Sequence, residues 1–580
     1  MSDDVRELIE KYALQNAVKY RAAPQKGAVM GKLMGEHPEL RSRAKEISSL
    51  VGSVLAEVER TGLYDRTITR EDSGTEIDLA EEVLKERAPE LLAELSEKKV
   101  PVKGLPPLEG AEKEVVMRFA PNPNGPPTLG SARGIIINSE YVKMYGGRLI
   151  LRFDDTDPVN KRPMLEAYDW YQEDCRWLDA VPDAVVIASD RLPMYYKIAE
   201  ELIRMGAAYV CRCDQATFKR YKDASLACPH RDRDPEESLD LWDGMKAGNL
   251  RPGDAVLRIK TDITHKDPAL RDWAAFRIVT TDHPRIGDRY RVWPLLDFES
   301  GIEDHLLGIT HIIRGKDLMD SERRQLYLYR HLGWEYPSVV HWGRIKIHQF
   351  GSFSTSALKE AIEAGEYRGW DDPRLPTVKA LRRRGILADA LRKFMIDLGV
   401  SETDISISMD TIYAENRKLV DPQARRRFFV KDPVPLEIEG EVPPVVQVPF
   451  HPTVDMGCRL IPAGNTVLVS GDDLAEMGVG NRLRLKDLCN LEILALDPAR
   501  ARARALGTDP AEAKNMKLPI IQWCPRDGVP VEVMRPDGVD RGVGEVGIRE
   551  DEGRTDQFER YGFVRIDSVD DEVVAYFAHR

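Results

Sequence analysis

The sequence predicts a multidomain α/β protein with an all-β C-terminal region, and three observations predict it. Between Asp4 and Glu59 apolar residues recur every three or four positions, the period of helices with one buried face. "EVVMRFA", a glycine-rich loop, "LGSARGIIINSEYVKMY" and "GRLILRF" then read as strand, turn, helix and strand. From about residue 431 short apolar runs such as "VPLEIEG", "VVQVPF", "NTVLVSG" and "VVAYFAH" are separated by Pro, Gly and Asp turns, as in antiparallel barrels. With 580 residues the chain has room for about three to five domains.

Along the chain, "VRELIEKYALQNAV" and "ISSLVGSVLAEVE" are predicted helices, and "EIDLAEEVLKERAPELLAELSEK" is read as a further helical stretch. "KKVPVKGLPPLEGAEKE" has the Pro, Gly and Lys content of a linker, which sets the first boundary near residue 113. The βαβ unit after it requires a parallel sheet of the Rossmann type, where ligands bind beyond the carboxyl ends of the strands. No internal repeat or low-complexity segment interrupts this order.

Composition narrows the function classes. Lys+Arg 84 against Asp+Glu 97 gives a net charge of −13, which excludes a uniformly basic protein but leaves room for a local basic face. No stretch approaches the ~18 apolar residues of a membrane span, and the acidic, amphipathic start is unlike a secretory signal, so a cytoplasmic location is expected. Seven cysteines, an odd number, do not suggest a disulfide framework.

The loop "PNPNGPPTLGSARG", residues 121–134, joins the first strand of the βαβ unit to its helix. Unpaired N–H groups and a positive dipole make a helix N-terminus an anion site. Gly125 and Gly130 permit close approach, and Thr128 and Ser131 add hydroxyls. A tight turn without a ligand would read the same way. Neither the dinucleotide fingerprint nor the Walker pattern is present. Arg118 stands just before the loop, and "RFDDTDP" ends the second strand with Asp154, Asp155 and Asp157. One reading makes this a polar, capped turn; the other has Asp154 receive an amino acid's ammonium and Arg118 its carbonyl or carboxylate side. Arg314, after the apolar run "ITHII", would be costly at a strand end unless an anion met it, and a carboxylate is its best bidentate partner.

These residues resemble the class I aminoacyl-tRNA synthetases, and within them the glutamyl-tRNA synthetases of the archaeal and eukaryotic type. The blocks that carry the resemblance span nearly the whole chain: "RFAPNPNGPPTLGSARG", "GRLILRFDDTDP", "DHLLGITHIIRGKD", "YLYRHLGW", "GEYRGWDDPRLPT", "LRRRGI", "RRRFFVKDPV" and "FERYGFVRIDS". "GAVMGKLMGEHPELR" is similar to the helical appendage of that branch. The resemblance implies an N-terminal helical appendage and linker (1–113), a Rossmann catalytic domain in two halves (114–208 and 291–348) and an acceptor-stem-binding insertion (209–290). A signature loop with a helical connector (349–430) and two β-barrel anticodon-binding domains (431–580) would follow.

It also implies roles for particular residues. The loop takes the place of the family's HIGH signature, with Thr128 and Ser131 at the histidine positions and Leu129 and Gly130 completing "TLGS". Thr128, Gly130 and Ser131 would be the catalytic positions, and Pro121, Asn122, Pro123, Asn124, Gly125, Pro126, Pro127 and Leu129 would complete the ATP-binding stretch. "SFSTS" stands for the KMSKS signature, which brings Ser352, Phe353, Ser354, Thr355 and Ser356 to ATP. Both lysines of that signature are missing, so Lys346, Lys359, Arg133 and His348 become candidates to supply charge, or else catalysis has been lost. Arg118, Ala120, Asn122 and Asp154 would hold the backbone groups of L-glutamate, and Arg314 its γ-carboxylate. Glutaminyl enzymes commonly read FDDTNP where this chain has Asp157, and carry an uncharged residue in place of Arg314. The implied partners are ATP with Mg²⁺, glutamate and tRNA-Glu, with tRNA-Gln open, for a monomer.

"CRCDQATFKRYKDASLACPH" supplies Cys211, Cys213, Cys228 and His230, a ligand set suited to a structural, tetrahedral Zn²⁺. Cysteines in a small core would look the same. The runs "RRR" at 382–384 and 425–427 would face tRNA phosphates or form solvated faces.

Overall fold

The computed structural model describes residues 2–20, 23–61, 67–69, 76–96, 104–112, 114–350, 354–497 and 499–580. They fall into two compact units, 1–103 and 104–580. Among the described residues no helix is long and apolar enough to cross a membrane.

The first unit contains the helices Ser2–Tyr20, Lys26–Glu36, Ala44–Thr61, Leu79–Arg87 and Pro89–Ser96. Their apolar stripes meet around Ile9, Leu14, Leu33, Val51 and Leu84, all buried. The helical reading of "EID" needs correction: Glu76–Asp78 is a strand, paired antiparallel with Thr67–Thr69. Alternation around a single β-branched Ile77 fits a short ribbon, and the helix starts only at Leu79.

The second unit begins with a five-stranded parallel sheet, in the order Ser338–Trp342, His311–Gly315, Val116–Phe119, Arg148–Phe153, Ala184–Ile187. The helix Leu129–Tyr145 crosses between its third and fourth strands, as the periodicity predicts. It stops at Gly146, whose φ of 63° closes it in the left-handed region. Strand order reverses between Val116–Phe119 and His311–Gly315, which opens a crevice at the carboxyl ends of these strands. After the fifth strand the chain builds an antiparallel sheet, Ala208–Cys211, Val256–Ile259, Ala274–Ile278 and Val292–Pro294, over a core of Trp242, Phe276 and Trp293.

Two seven-stranded sheets form the C-terminal part. Their strands are mainly antiparallel, as expected, but parallel pairs also occur, for example Leu436–Glu439 with Ala501–Arg504 and Val531–Met534 with Val573–Tyr576. The parallel pairs arise because the chain leaves one sheet and returns to it later. The strands Arg426–Arg427 and Phe429–Lys431 belong to the same sheet as the five strands from Val529 to His579. Every strand of the other sheet lies between residues 433 and 525.

Five of the six arginines in the two runs are tied to partners of the protein and form no free cationic face, whereas Arg382 is exposed. Arg384 is fully buried and donates to the carbonyls of Phe577 and Ala578, while Arg383 pairs with Asp371 and Asp567. Arg427 is buried against Asp551 and Glu545, Arg426 pairs with Asp421 and Arg425 with Asp551. A buried guanidinium requires such partners, so these runs hold the connector to the sheets.

Candidate active site

Arg118 and Arg152 stand near the carboxyl ends of adjacent parallel strands, and Arg314 on the strand across the crevice. All three are buried and converge on one carboxylate, Asp304, from the helix Leu296–Leu306. Arg118 donates Nε and Nη2 to Asp304 at 2.9 and 3.3 Å, and Arg152 donates Nη1 at 2.7 Å. Arg314 Nη2 stands further off, at 3.8 Å. Burial alone would raise the Asp304 pKa, but the guanidiniums of Arg118 and Arg152 outweigh it and hold the group at about 2. Arg152 also takes Asp154 in a fork, Nε–Oδ1 2.6 Å and Nη2–Oδ2 3.1 Å. Glu299 lies behind it, 3.9 Å from Arg152, and among the described residues its carboxyl oxygens have no hydrogen-bond partner. Burial, reinforced by the neighbouring Asp154, pushes its pKa up.

Arg314 is aimed by a chain of neutral groups. Its Nη1 donates to Gln325 Oε1 at 3.2 Å, Tyr336 donates to the same oxygen at 2.6 Å, and Gln325 Nε2 donates to Ser300 Oγ at 2.8 Å. Among the described residues Arg314 Nε has no hydrogen-bond partner. Arg314 and Ser300 line a cavity of about 170 Å³, together with Arg118, Ala120, Asn138, Asp154 and Trp342, among others. Four of the five residues expected at glutamate therefore meet in one place. Asn122, the fifth, does not line it; its amide donates to the Asp154 carbonyl at 2.9 Å, and its own oxygen is buried without a partner among the described residues.

A second cavity, about 420 Å³, shares Trp342 with the first and is lined by Thr128, Leu129, Gly130, Arg133, Asp317, Arg344 and Lys346, with others. Of the loop 121–131, only "TLG" reaches it. Thr128 is the N-cap residue of the helix, and among the described residues its side chain makes no capping bond. The loop is fixed by a bridge between Thr128 and Thr377, with Leu129 N–H donating to Pro376 O and Val378 N–H to Pro127 O, both at 2.9 Å. Ser131 does not line the cavity. Ser352 and Phe353 lie outside the described residues. Ser354 caps the helix Thr355–Glu363, accepting from Ala357 N–H, and Thr355 and Ser356 open that helix. Gly125 lies against it, since a Cβ there would come within 2.4 Å of Thr355 Cγ2 and 3.2 Å of the Trp370 ring.

Residues 114–422 match the description "tRNA synthetases class I (E and Q), catalytic domain", and residues 424–503 the anti-codon binding domain of the same enzymes. The chain belongs to this family. The synthetase is 65% identical to a glutamate–tRNA ligase of Methanothrix thermoacetophila over 580 residues, all of both chains. It is 58% identical to that of Methanosarcina mazei, again over the whole of both, and 46% identical to that of Pyrococcus furiosus. It is therefore a class I aminoacyl-tRNA synthetase.

Sequence reasoning passed over Arg152, Asn138, Ser300, Asp304, Gln325, Trp342 and Arg344. Arg152 and Asp304 lay inside blocks already singled out; for Arg152 the available signal was an ionisable residue between Leu151 and Phe153, whereas Asp304 stands between Glu303 and His305 and carried no such signal.

The cysteine cluster of the synthetase lies elsewhere, on the antiparallel sheet and the loop after the helix Gln215–Asp223. The ligand atoms of Cys211, Cys213, Cys228 and His230 all lie within 4.8 Å of one another. Cys211 Sγ is 3.8 Å from Cys228 Sγ, and Cys213 Sγ is 3.3 Å from His230 Nδ1. Tetrahedral zinc thiolates with ~2.3 Å bonds place sulfurs about 3.7 Å apart, so this donor set fits the ion.

Proposed function

We propose that the synthetase activates L-glutamate with MgATP and transfers it to the 3′-terminal adenosine of tRNA-Glu. The observation that carries this reading is the pair of cavities meeting at Trp342: one presents Arg118, Arg314 and Asp154, the other the N-terminus of the helix Leu129–Tyr145. Glutamate in the first cavity would set its ammonium near Asp154 and its γ-carboxylate on Arg314, which lines that cavity. Its α-carboxylate then faces the nucleotide, attacks the α-phosphorus in line and expels pyrophosphate. The 2′-hydroxyl of the terminal adenosine next displaces AMP from the adenylate. The protein contributes position and charge more than covalent chemistry, and Thr128 and Gly130 would orient the phosphates.

Pyrophosphate exchange with purified protein tests the reading, with glutamate or glutamine and with or without tRNA. Glutamate-dependent exchange is expected. Preference for glutamine would make this a glutaminyl enzyme, and no exchange under any condition would leave a tRNA-binding protein. Charging of purified tRNA-Glu and tRNA-Gln then fixes the range of acceptors. The insertion 209–290 would hold the acceptor end and residues 431–580 the anticodon.

Gly125→Val is expected to lower exchange by about 10²-fold through displacement of the phosphate loop. Gly125→Val with Thr355→Ala should recover part of it, because the β-branched Thr355 methyl is the closest obstacle. An unchanged rate in Gly125→Val would show that the loop is not held by this contact.

Cys211, Cys213, Cys228 and His230 would hold a structural Zn²⁺, which ties the strand Ala208–Cys211 to the following loop. About one equivalent of zinc per chain is expected by elemental analysis. Chelation or Cys228→Ser should lower the melting temperature of the protein while leaving glutamate-dependent exchange largely intact. Protein that contains no metal and melts unchanged with chelator would assign these cysteines to the small core around Tyr209 and Phe218.

A further inference from the structure

Neither signature segment carries a cationic side chain for a triphosphate, so the cations around the second cavity are the groups to compare. Of the four cations considered from sequence, Arg133 uses Nη1 and Nη2 on the carbonyls of Gly343 and Gly399, at 3.0 and 2.9 Å, and its guanidinium lies 4.5 Å from the Trp342 ring. His348 is bonded to Ser406 Oγ at 2.7 Å, Lys359 sits 3.8 Å from Glu363 on its own helix, and neither lines the cavity. Lys346 does line it. It is exposed, and among the described residues it has no hydrogen-bond or ion-pair partner.

Its backbone is fixed. The strand Ile345–Ile347 pairs in parallel with Ile405–Ile407, and Ile345 and Ile347 pack into the core around Leu129 and Ile412. Arg344, one residue before, is anchored by its N–H to Asp404 Oδ1 at 2.8 Å. Its guanidinium is mostly exposed and lies 3.5 Å from Asp317 Oδ2, a distance too long for a strong bond in water, so it can turn to a better anion. Thr128 and Gly130 line the same cavity.

We propose that Lys346 and Arg344 hold the triphosphate of ATP in this chain, in place of the histidines and lysines missing from its two signature segments. The inference rests on the ATP reading above, and direct binding separates the two. Affinities of the full chain for ATP and for adenosine are measured by calorimetry without amino acid. Lys346→Ala should weaken ATP about 10-fold, and Lys346→Ala with Arg344→Ala about 100-fold, with adenosine unmoved and Lys346→Arg recovering most of the loss. ATP affinity within twofold of the wild type in the double variant overturns the proposal. So does an equal fall for adenosine, which would make these residues part of the nucleoside wall. A chain that binds ATP through Lys346 yet shows no glutamate-dependent exchange would sink the ligase reading and keep this one.

Discussion

Arg314→Gln is expected to reduce kcat/KM for glutamate on the order of 10²–10³-fold while the protein stays folded. The size follows from burial: a γ-carboxylate entering this cavity leaves water, and without the guanidinium it would be an unpaired buried charge. The fold should tolerate the change because Arg314 is the most distant of the three cations around Asp304, at 3.8 Å, while Arg118 and Arg152 keep their short bonds. Glutamine should lose far less than glutamate, narrowing the preference between the two. Arg314→Lys should recover little, because Gln325 aims a planar fork and an ammonium cannot reproduce it. Exchange rates with both amino acids, beside a melting curve, check this. A loss below about fivefold for glutamate would move its carboxylate to Arg118 and leave Arg314 structural.

Asp304→Ala should do the reverse and damage the fold before the chemistry. It removes the carboxylate shared by three buried guanidiniums, and breaking buried pairs of this kind costs about 3–5 kcal/mol. Asp304→Asn should be milder, because the amide oxygen still accepts from Arg118 or Arg152. The same contact has a pH signature. The Asp304 pKa is held at about 2, against the ordinary 3.8 of the unfolded chain. Its stabilisation is therefore full above pH ~4 and lost as pH falls towards 2. Urea midpoints at pH 7, and melting temperatures between pH 5 and 3, should show a smaller acid dependence in Asp304→Asn than in the wild type. An Asp304→Ala protein as stable as the wild type at pH 7 would mean that water satisfies the three arginines.

Local pattern carried much of this structure. The strand, loop and helix around residues 116–145 and the four clustered metal-type ligands were legible from spacing and from the company each residue keeps, while the meeting of Arg118, Asp154 and Arg314 in one cavity was implied by the family resemblance and not by spacing. The network beneath them was not, because Arg118 and its partner Asp304 are 186 positions apart. Nothing in the composition of "RRR" says whether the partner is a phosphate, water or Asp551, and for Arg427 burial against Asp551 decided it. Glu76–Asp78 reads as the first turn of a helix until the strand Thr67–Thr69 is placed beside it. The loop 121–131 shows the same limit: its sequence shows which charges are missing, and only the pairing of Ile345–Ile347 with Ile405–Ile407 shows where Lys346 stands.

The nesting of the two C-terminal sheets has a consequence in time. Val430 pairs with Val543 and Arg426 with Gln557, so one sheet cannot close until more than a hundred intervening residues have been brought together. The other sheet is made entirely of those residues and can zip on its own. Refolding should therefore run from the inside outwards, with the sheet of Pro433–Glu439 and Trp523–Pro525 forming first and shortening the loop that the outer strands must span.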